Sequence, residues 1–202
     1  MASAGVDQAS LLADVFSTVL RKFSPASVAV IGCAGGNGFD RMDPRTTTRV
    51  VALDINPEYL AATERRYSKV FRQLVLHNAD IARTELDLEP VDLGFAALLL
   101  EYVDVAAALR NLLSLCRQAG HLVVVLQLPS SALPAITATA VPTIMGLAAV
   151  IKLVDPLALE QAACRIGFAL RESTRVTSSR GKQFAVHVYQ RLPLEPPEAK
   201  VR

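Results

Sequence analysis

The stretch that most constrains this chain is Val28 to Asp40, reading V-A-V-I-G-C-A-G-G-N-G-F-D. Four apolar residues, Val28 to Ile31, run directly into Gly32, Cys33, Ala34, Gly35, Gly36, Asn37 and Gly38. An unbroken apolar run of this length predicts a strand buried on both faces, as in a parallel sheet. The glycines after it permit backbone angles closed to other residues and let a ligand come near the main chain. A second apolar run, Val50 to Leu53, ends in Asp54, about twenty residues past the turn. That spacing predicts a carboxylate at the tip of the neighbouring strand, where the ribose hydroxyls of a bound nucleoside would lie.

The glycine spacing narrows the nucleoside. A dinucleotide fingerprint needs glycines at relative positions one, three and six, and counted from Gly32 the chain has Ala34 and Asn37 there. An NAD(P)-dependent oxidoreductase is therefore the weakest of the nucleotide-binding readings. The run Gly32-Cys33-Ala34-Gly35-Gly36 instead resembles motif I of the class I S-adenosylmethionine-dependent methyltransferases. The resemblance extends from Val28 to about Arg191. It departs at Ala34, which replaces the middle glycine, and at Val30, where such proteins often carry an acid.

The resemblance implies an α/β fold: a Rossmann-like, seven-stranded, mostly parallel sheet in the order 3-2-1-4-5-7-6. A C-terminal antiparallel hairpin and helices on both faces complete it. It also implies S-adenosyl-L-methionine as cofactor. Gly32, Cys33, Ala34, Gly36 and Asn37 would form the cofactor loop, with turn amides aimed at the cofactor's carboxylate. Asp54 would accept from the ribose and Ile55 would flank the adenine. Asp80 would accept from the exocyclic amine, Ile81 would cover the ring, and Ala97 would lie near the methionine moiety. Glu101 and Tyr102 replace two histidines common in the family and are the catalytic, substrate-side candidates. Against that, Glu101 is also placed to be the acidic start of the following helix. The Asn/Asp-Pro-Pro-Tyr tetrad of enzymes acting on planar nitrogens of bases or glutamine is absent from this stretch.

Periodicity and caps supply the other elements. Leu11, Leu12, Val15, Phe16, Val19 and Leu20 predict a helix over Asp7–Lys22. A very short helix is expected over Asn37–Met42. Asn56 and Pro57 predict a capped helix running to about Ser68. Strands are expected over Val70–Leu76 and Val91–Leu100. A helix over Val105–Arg117 closed by Gly120 would lead to a strand over His121–Leu128. Asp155 and Pro156 start a helix to about Arg165. Phe168–Val176 and Gln183–Arg191 would pair as antiparallel neighbours.

Residues 1–191 thus read as one domain, a size that allows a full core. Ser130 to Lys152, interrupted by Pro134 and Pro142, reads as a lid over the active site or a homodimer surface. Leu192 to Arg202 reads as a disordered tail. A formal net charge of +2 argues against a strongly electrostatic nucleic-acid binder. Cys33, Cys116 and Cys164 are odd in number and lie in apolar contexts, which suits reduced, buried thiols in a cytoplasmic protein. Their spacing fits no metal motif, Met1–Gln8 lacks a signal-peptide pattern, and no stretch reads as membrane-spanning. The leading reading is methyl transfer to a small-molecule acceptor. The alternative is a non-catalytic protein of the same fold that binds the cofactor or acts as a scaffold.

Overall fold

A computed structural model describes residues 4–130 and 152–193. The lid or dimer reading of 131–151 and the reading of the tail beyond 193 lie outside the described residues.

The elements are α1 (Ala4–Phe23), β1 (Ser27–Ile31), β2 (Arg49–Asp54), α2 (Pro57–Tyr67), β3 (Gln73–Asn78), β4 (Val91–Ala97), α3 (Val105–Leu115), β5 (Cys116–Gln127), α4 (Pro156–Arg165), β6 (Phe168–Thr177) and β7 (Gln183–Arg191). The seven strands form one sheet in the order β3-β2-β1-β4-β5-β7-β6. The pairs from β3 through β5 are parallel, and β7 runs antiparallel to both β5 and β6. This is the topology expected from the resemblance.

Strand alternation divides the core into two layers. Ala29, Ile31, Val51 and Leu53 face α3 and α4, where Leu109, Leu112, Leu159 and Ala163 meet them. Val28, Val30, Val50 and Ala52 face the other way, toward α1 and α2, whose Phe16, Val19, Leu60 and Tyr67 complete that layer. Helices therefore cover both faces, and β1 is buried on both sides as its composition required. Among the described residues, no helix is long and apolar enough to cross a membrane.

The caps at α2 and α4 follow the sequence chemistry. Asn56 Oδ1 accepts from the Glu58 amide at 2.9 Å with Pro57 in the first turn, and Asp155 Oδ1 accepts from the Leu157 amide at 3.2 Å. Other boundaries differ. α3 stops at Leu115 and the chain enters β5 directly at Cys116, which pairs with Val91. Gly120 is thus a residue of β5, not a helix stop: a Cβ there would come within 2.8 Å of the Arg117 carbonyl oxygen. The short helix after the glycine turn is only a 3-10 turn, Phe39–Arg41. β4 ends at Ala97, because Leu98 turns to φ 54°, a left-handed angle that no strand sustains. The thiols also divide: Cys33 and Cys116 are buried, but Cys164 is exposed on α4.

Candidate active site

β1 and β4 are adjacent, yet β1 connects onward to β2 on one side and β4 to β5 on the other. Ligands of open parallel sheets bind at this reversal, outside the carboxyl ends of the strands. Here the carboxyl ends of β1, β2, β3 and β4 bring together the glycine turn, Asp54, the Ala79–Arg83 loop and the Leu98–Asp104 loop.

The glycine turn and Asp54 are in direct contact. The Ala34 amide donates to Asp54 Oδ2 at 3.0 Å, and the Asn56 amide donates to Oδ1 at 2.9 Å. Asp54 is only 7% exposed. Asn56 does cap α2, as the sequence suggested, but that does not leave Asp54 unengaged. Each carboxylate oxygen still has a second lone pair for a ligand hydroxyl. Asn78, at the end of β3, donates from Nδ2 to the carbonyls of Asp54 (3.0 Å) and Ile55 (2.9 Å). This clamp fixes the β2 tip and leaves the Ile55 side chain 67% exposed. Nothing in the sequence pattern singles out Asn78 for the task.

The turn itself is held from inside. Gly32 and Cys33 amides donate to the Leu53 carbonyl at 2.8 and 3.3 Å, and Gly36 and Asn37 amides donate to the Cys33 carbonyl at 2.8 and 3.2 Å. These amides were expected to cradle a carboxylate; the turn's own hydrogen bonds take them instead. The Cys33 side chain is buried, 3.7 Å from Thr63 Oγ1, and burial, opposed by that contact, raises its thiol pKa. Its side chain therefore packs on α2, and only its backbone lies in the loop. Gly36 also serves packing, since a Cβ there would lie 2.6 Å from Tyr67 Cε2. Arg66 Nη1 donates to the Gly35 carbonyl at 2.7 Å and ties the turn to α2. Ala34 holds φ 45°, a left-handed angle that glycine adopts more readily.

Among the described residues, two cavities open along this edge. The smaller, about 110 Å³, lies between α1 and the turn, and Gly32, Cys33, Ala34, Asn37 and Ala97 all line it. The larger, about 490 Å³, is lined by Asp80, Arg83, Glu101, Tyr102, Asp104 and Lys152, among others. Ile81 lines neither. It is 3% exposed and belongs to the core layer under α3, so its side chain is not free to cover a ring. Asp80 accepts from the Ala82 amide at 2.9 Å and pairs with Arg83 at 3.5 Å.

Glu101 is the most unusual group at this edge. It sits in a 3-10 turn, Leu100–Tyr102, and the cap of α3 is Asp104, which accepts from the Ala107 amide at 2.7 Å. Glu101 is therefore not the acidic start of that helix. It is 2% exposed. Oε1 accepts from the Gln127 amide at 2.8 Å, while Oε2 is buried with no hydrogen-bond partner among the described residues. Burial raises its pKa above the usual carboxyl range, opposed by the Gln127 hydrogen bond. Tyr102 is half-buried, and desolvation followed by the Glu101 charge raises its phenol pKa.

Known proteins agree with this architecture. A methyltransferase-domain family model matches residues 29–124. No curated protein sequence matches the chain. Among solved structures, the N-methyltransferase NodS from Bradyrhizobium japonicum WM9, in complex with S-adenosyl-L-homocysteine, superposes with a TM-score of 0.65 at 18% identity, over 88% of this chain and 86% of that one. The 1,6-didemethyltoxoflavin-N1-methyltransferase of Burkholderia thailandensis gives 0.68 at 17%, over 90% and 79%. The [4+2]-cyclase SpnF gives 0.67 at 11%, over 89% and 81%. These likenesses establish the fold. The match over residues 29–124 and the strand order β3-β2-β1-β4-β5-β7-β6 make the chain similar to the class I S-adenosylmethionine-dependent methyltransferases.

Proposed function

We propose that the protein is an S-adenosylmethionine-dependent methyltransferase acting on a small-molecule acceptor. The observation that carries this reading is the contact between the glycine turn and Asp54 at the strand-order reversal, Ala34 amide to Asp54 Oδ2 at 3.0 Å. It sets a carboxylate with remaining acceptor capacity beside a close-approach backbone. Asp54 would take the ribose hydroxyls, the exposed Ile55 one adenine face, and Asp80 the exocyclic amine. Gly32, Ala34, Asn37 and Ala97, around the smaller cavity, would hold the methionine end. NodS and the toxoflavin enzyme, both with S-adenosylhomocysteine in their crystals, support the same cofactor.

The sulfonium supplies an activated methyl. The chain's own task is to align acceptor, methyl and sulfur and to exclude water. Glu101 and Tyr102 line the larger cavity and are the groups proposed to meet the acceptor. Calorimetric titration with S-adenosylhomocysteine tests the reading. Micromolar binding is expected, and no heat from a folded sample would overturn it.

A second reading, a non-catalytic cofactor-binding or scaffold protein, draws on the turn amides already taken internally and on the [4+2]-cyclase with the same fold. It predicts cofactor binding with no methyl transfer to any acceptor.

A further inference from the structure

The larger cavity carries three carboxyl groups on two loops. Asp80 is engaged by the Ala82 amide and Arg83. Asp104 is engaged by the Ala107 amide. Glu101 differs from both: it lines the cavity, is 2% exposed, and has one oxygen held by Gln127 and the other with no partner among the described residues. A buried acceptor without a donor is costly, and its persistence calls for a water, an ion, a ligand or a reaction that uses it. Among the described residues no wall group donates to Oε2: Tyr102 and Lys152 line the same cavity but make no hydrogen bond to that oxygen. A ligand that brings its own N–H would complete the site.

We propose that the methyl acceptor is an amine, and that Glu101 receives the proton its nitrogen loses on methylation. This rests on the methyltransferase reading above and names its substrate class. The neutral amine nitrogen attacks the methyl carbon. The N–C bond forms as the C–S bond breaks, and sulfur keeps the electron pair, becoming a neutral thioether. The nitrogen, now carrying the methyl and a positive charge, gives one N–H proton to the Glu101 carboxylate. The products are the methylated neutral amine, S-adenosylhomocysteine and the Glu101 acid. A single carboxylate thus balances the charge that the sulfonium brought in, with no further reactant.

The groups around Glu101 fit this use. Asp80 and Asp104 favour a cationic amine on entry, which releases one proton to solvent to give the neutral nucleophile; Arg83 and Lys152, whose side chain is exposed, partly offset them. Tyr102, beside Glu101, offers a phenol that can accept from the second N–H. On the side of β5 the contact is the Gln127 amide, which keeps Oε1 occupied and leaves Oε2, buried beside the cavity, as the oxygen with unused acceptor capacity. The carboxylate, not the acid, accepts the proton, so turnover rises with pH until Glu101 is ionised.

The test uses the full chain, S-adenosylmethionine, and a panel of primary and secondary amines set against phenols, alcohols, thiols and carboxylic acids. Release of S-adenosylhomocysteine is followed from pH 5 to 9. Transfer to amines is expected, with kcat/KM climbing about tenfold per pH unit below the Glu101 ionisation. Glu101→Gln is expected to lower kcat ~100-fold and abolish that rise, while S-adenosylhomocysteine affinity stays within about threefold. Thermal melting of the variant checks that it is folded, and if it is not, the wild-type profile taken with weakly basic anilines, which stay neutral over most of this range, still reads the Glu101 ionisation apart from that of the acceptor. The proposal fails, with the cofactor reading intact, if S-adenosylhomocysteine binds and transfer goes to oxygen or sulfur acceptors or to no amine. It also fails if Glu101→Gln keeps both rate and pH profile. Absence of S-adenosylhomocysteine binding would remove the underlying reading itself.

Discussion

Gly36 lies directly beneath Tyr67: a Cβ at position 36 would stand 2.6 Å from Tyr67 Cε2 and 3.1 Å from Cδ2. Tyr67 is itself packed among Phe39 and Phe71, and Gly36 has φ 84°. Gly36→Ala is expected to lower unfolding stability by about 2–4 kcal/mol, from the left-handed angle and the overpacking together. Urea denaturation measures it. Adding Tyr67→Leu should recover part of the loss by opening the space, whereas a loss unchanged by the second substitution would assign the effect to the backbone angle alone.

Asp54 holds two backbone amides and, in the proposed function, the ribose, and one substitution separates the two only in part. Asp54→Ala is expected to weaken S-adenosylhomocysteine binding by about 1.5–3 kcal/mol, and to lower folding stability by about 1–3 kcal/mol because the Ala34 and Asn56 amides lose their acceptor. Calorimetry and denaturation on the same sample read the two losses. Full affinity in the variant would place the ribose elsewhere.

A control comes from the opposite edge of the sheet. The Ser27 amide donates to Asp92 Oδ2 at 2.8 Å, and the Asp92 amide donates to Ser27 Oγ at 2.9 Å; Arg117 Nε lies 2.7 Å from Asp92 Oδ1. Asp92→Ala is expected to cost about 1–3 kcal/mol of stability with no change in cofactor affinity. A parallel fall in affinity would mean that binding merely follows stability, and the Asp54 result would lose its meaning.

The raised pKa of Glu101 makes a pH prediction for folding. Below the carboxyl's unfolded value both states are protonated and Glu101 exacts nothing. As pH climbs through the window up to the raised folded value, the folded state holds a proton that the unfolded state has released, so stability falls. Glu101→Gln should remove that fall. His121 and His187, whose pKa values are lowered by burial first, act in the opposite sense below their ordinary value of 6.5, and alike in wild type and variant. The difference between wild-type and variant curves therefore isolates Glu101. A variant less stable than wild type at pH 8 would mark Glu101 as a structural group.

The thiols give a simpler check. Cys116 is fully buried and its pKa is pushed up to about 12, and burial also raises Cys33. A thiol-reactive dye at pH 8 is expected to label Cys164 rapidly and the other two only on unfolding. Fast labelling of Cys33 would show that the glycine turn opens.

The sequence made the sheet legible because its strands obey a simple rule: runs such as Val28–Ile31 and Val50–Leu53 are buried on both faces and admit little but apolar residues. Asp54 was legible for the same reason, as a lone carboxylate closing such a run. What pattern could not show is where side chains and amides go after a turn. Cys33 and Ile81 occupy motif positions yet turn inward, and Gly36 answers to a ring on α2, thirty-one residues on. Asn78 acts through two carbonyls, which carry no sequence signature. The α3–β5 boundary was misplaced because Gly120 looks like a helix stop, while Cys116 is drawn into the ladder by Val91, a partner distant in sequence.

Glu101 touches two places in the chain that bracket everything between β5 and α4: its carboxylate holds the Gln127 amide, and its carbonyl accepts from the Lys152 amide at 2.8 Å. One residue thus serves as a common mooring for the end of β5 and the approach to α4, so a substitution that displaces Glu101 is felt at both together.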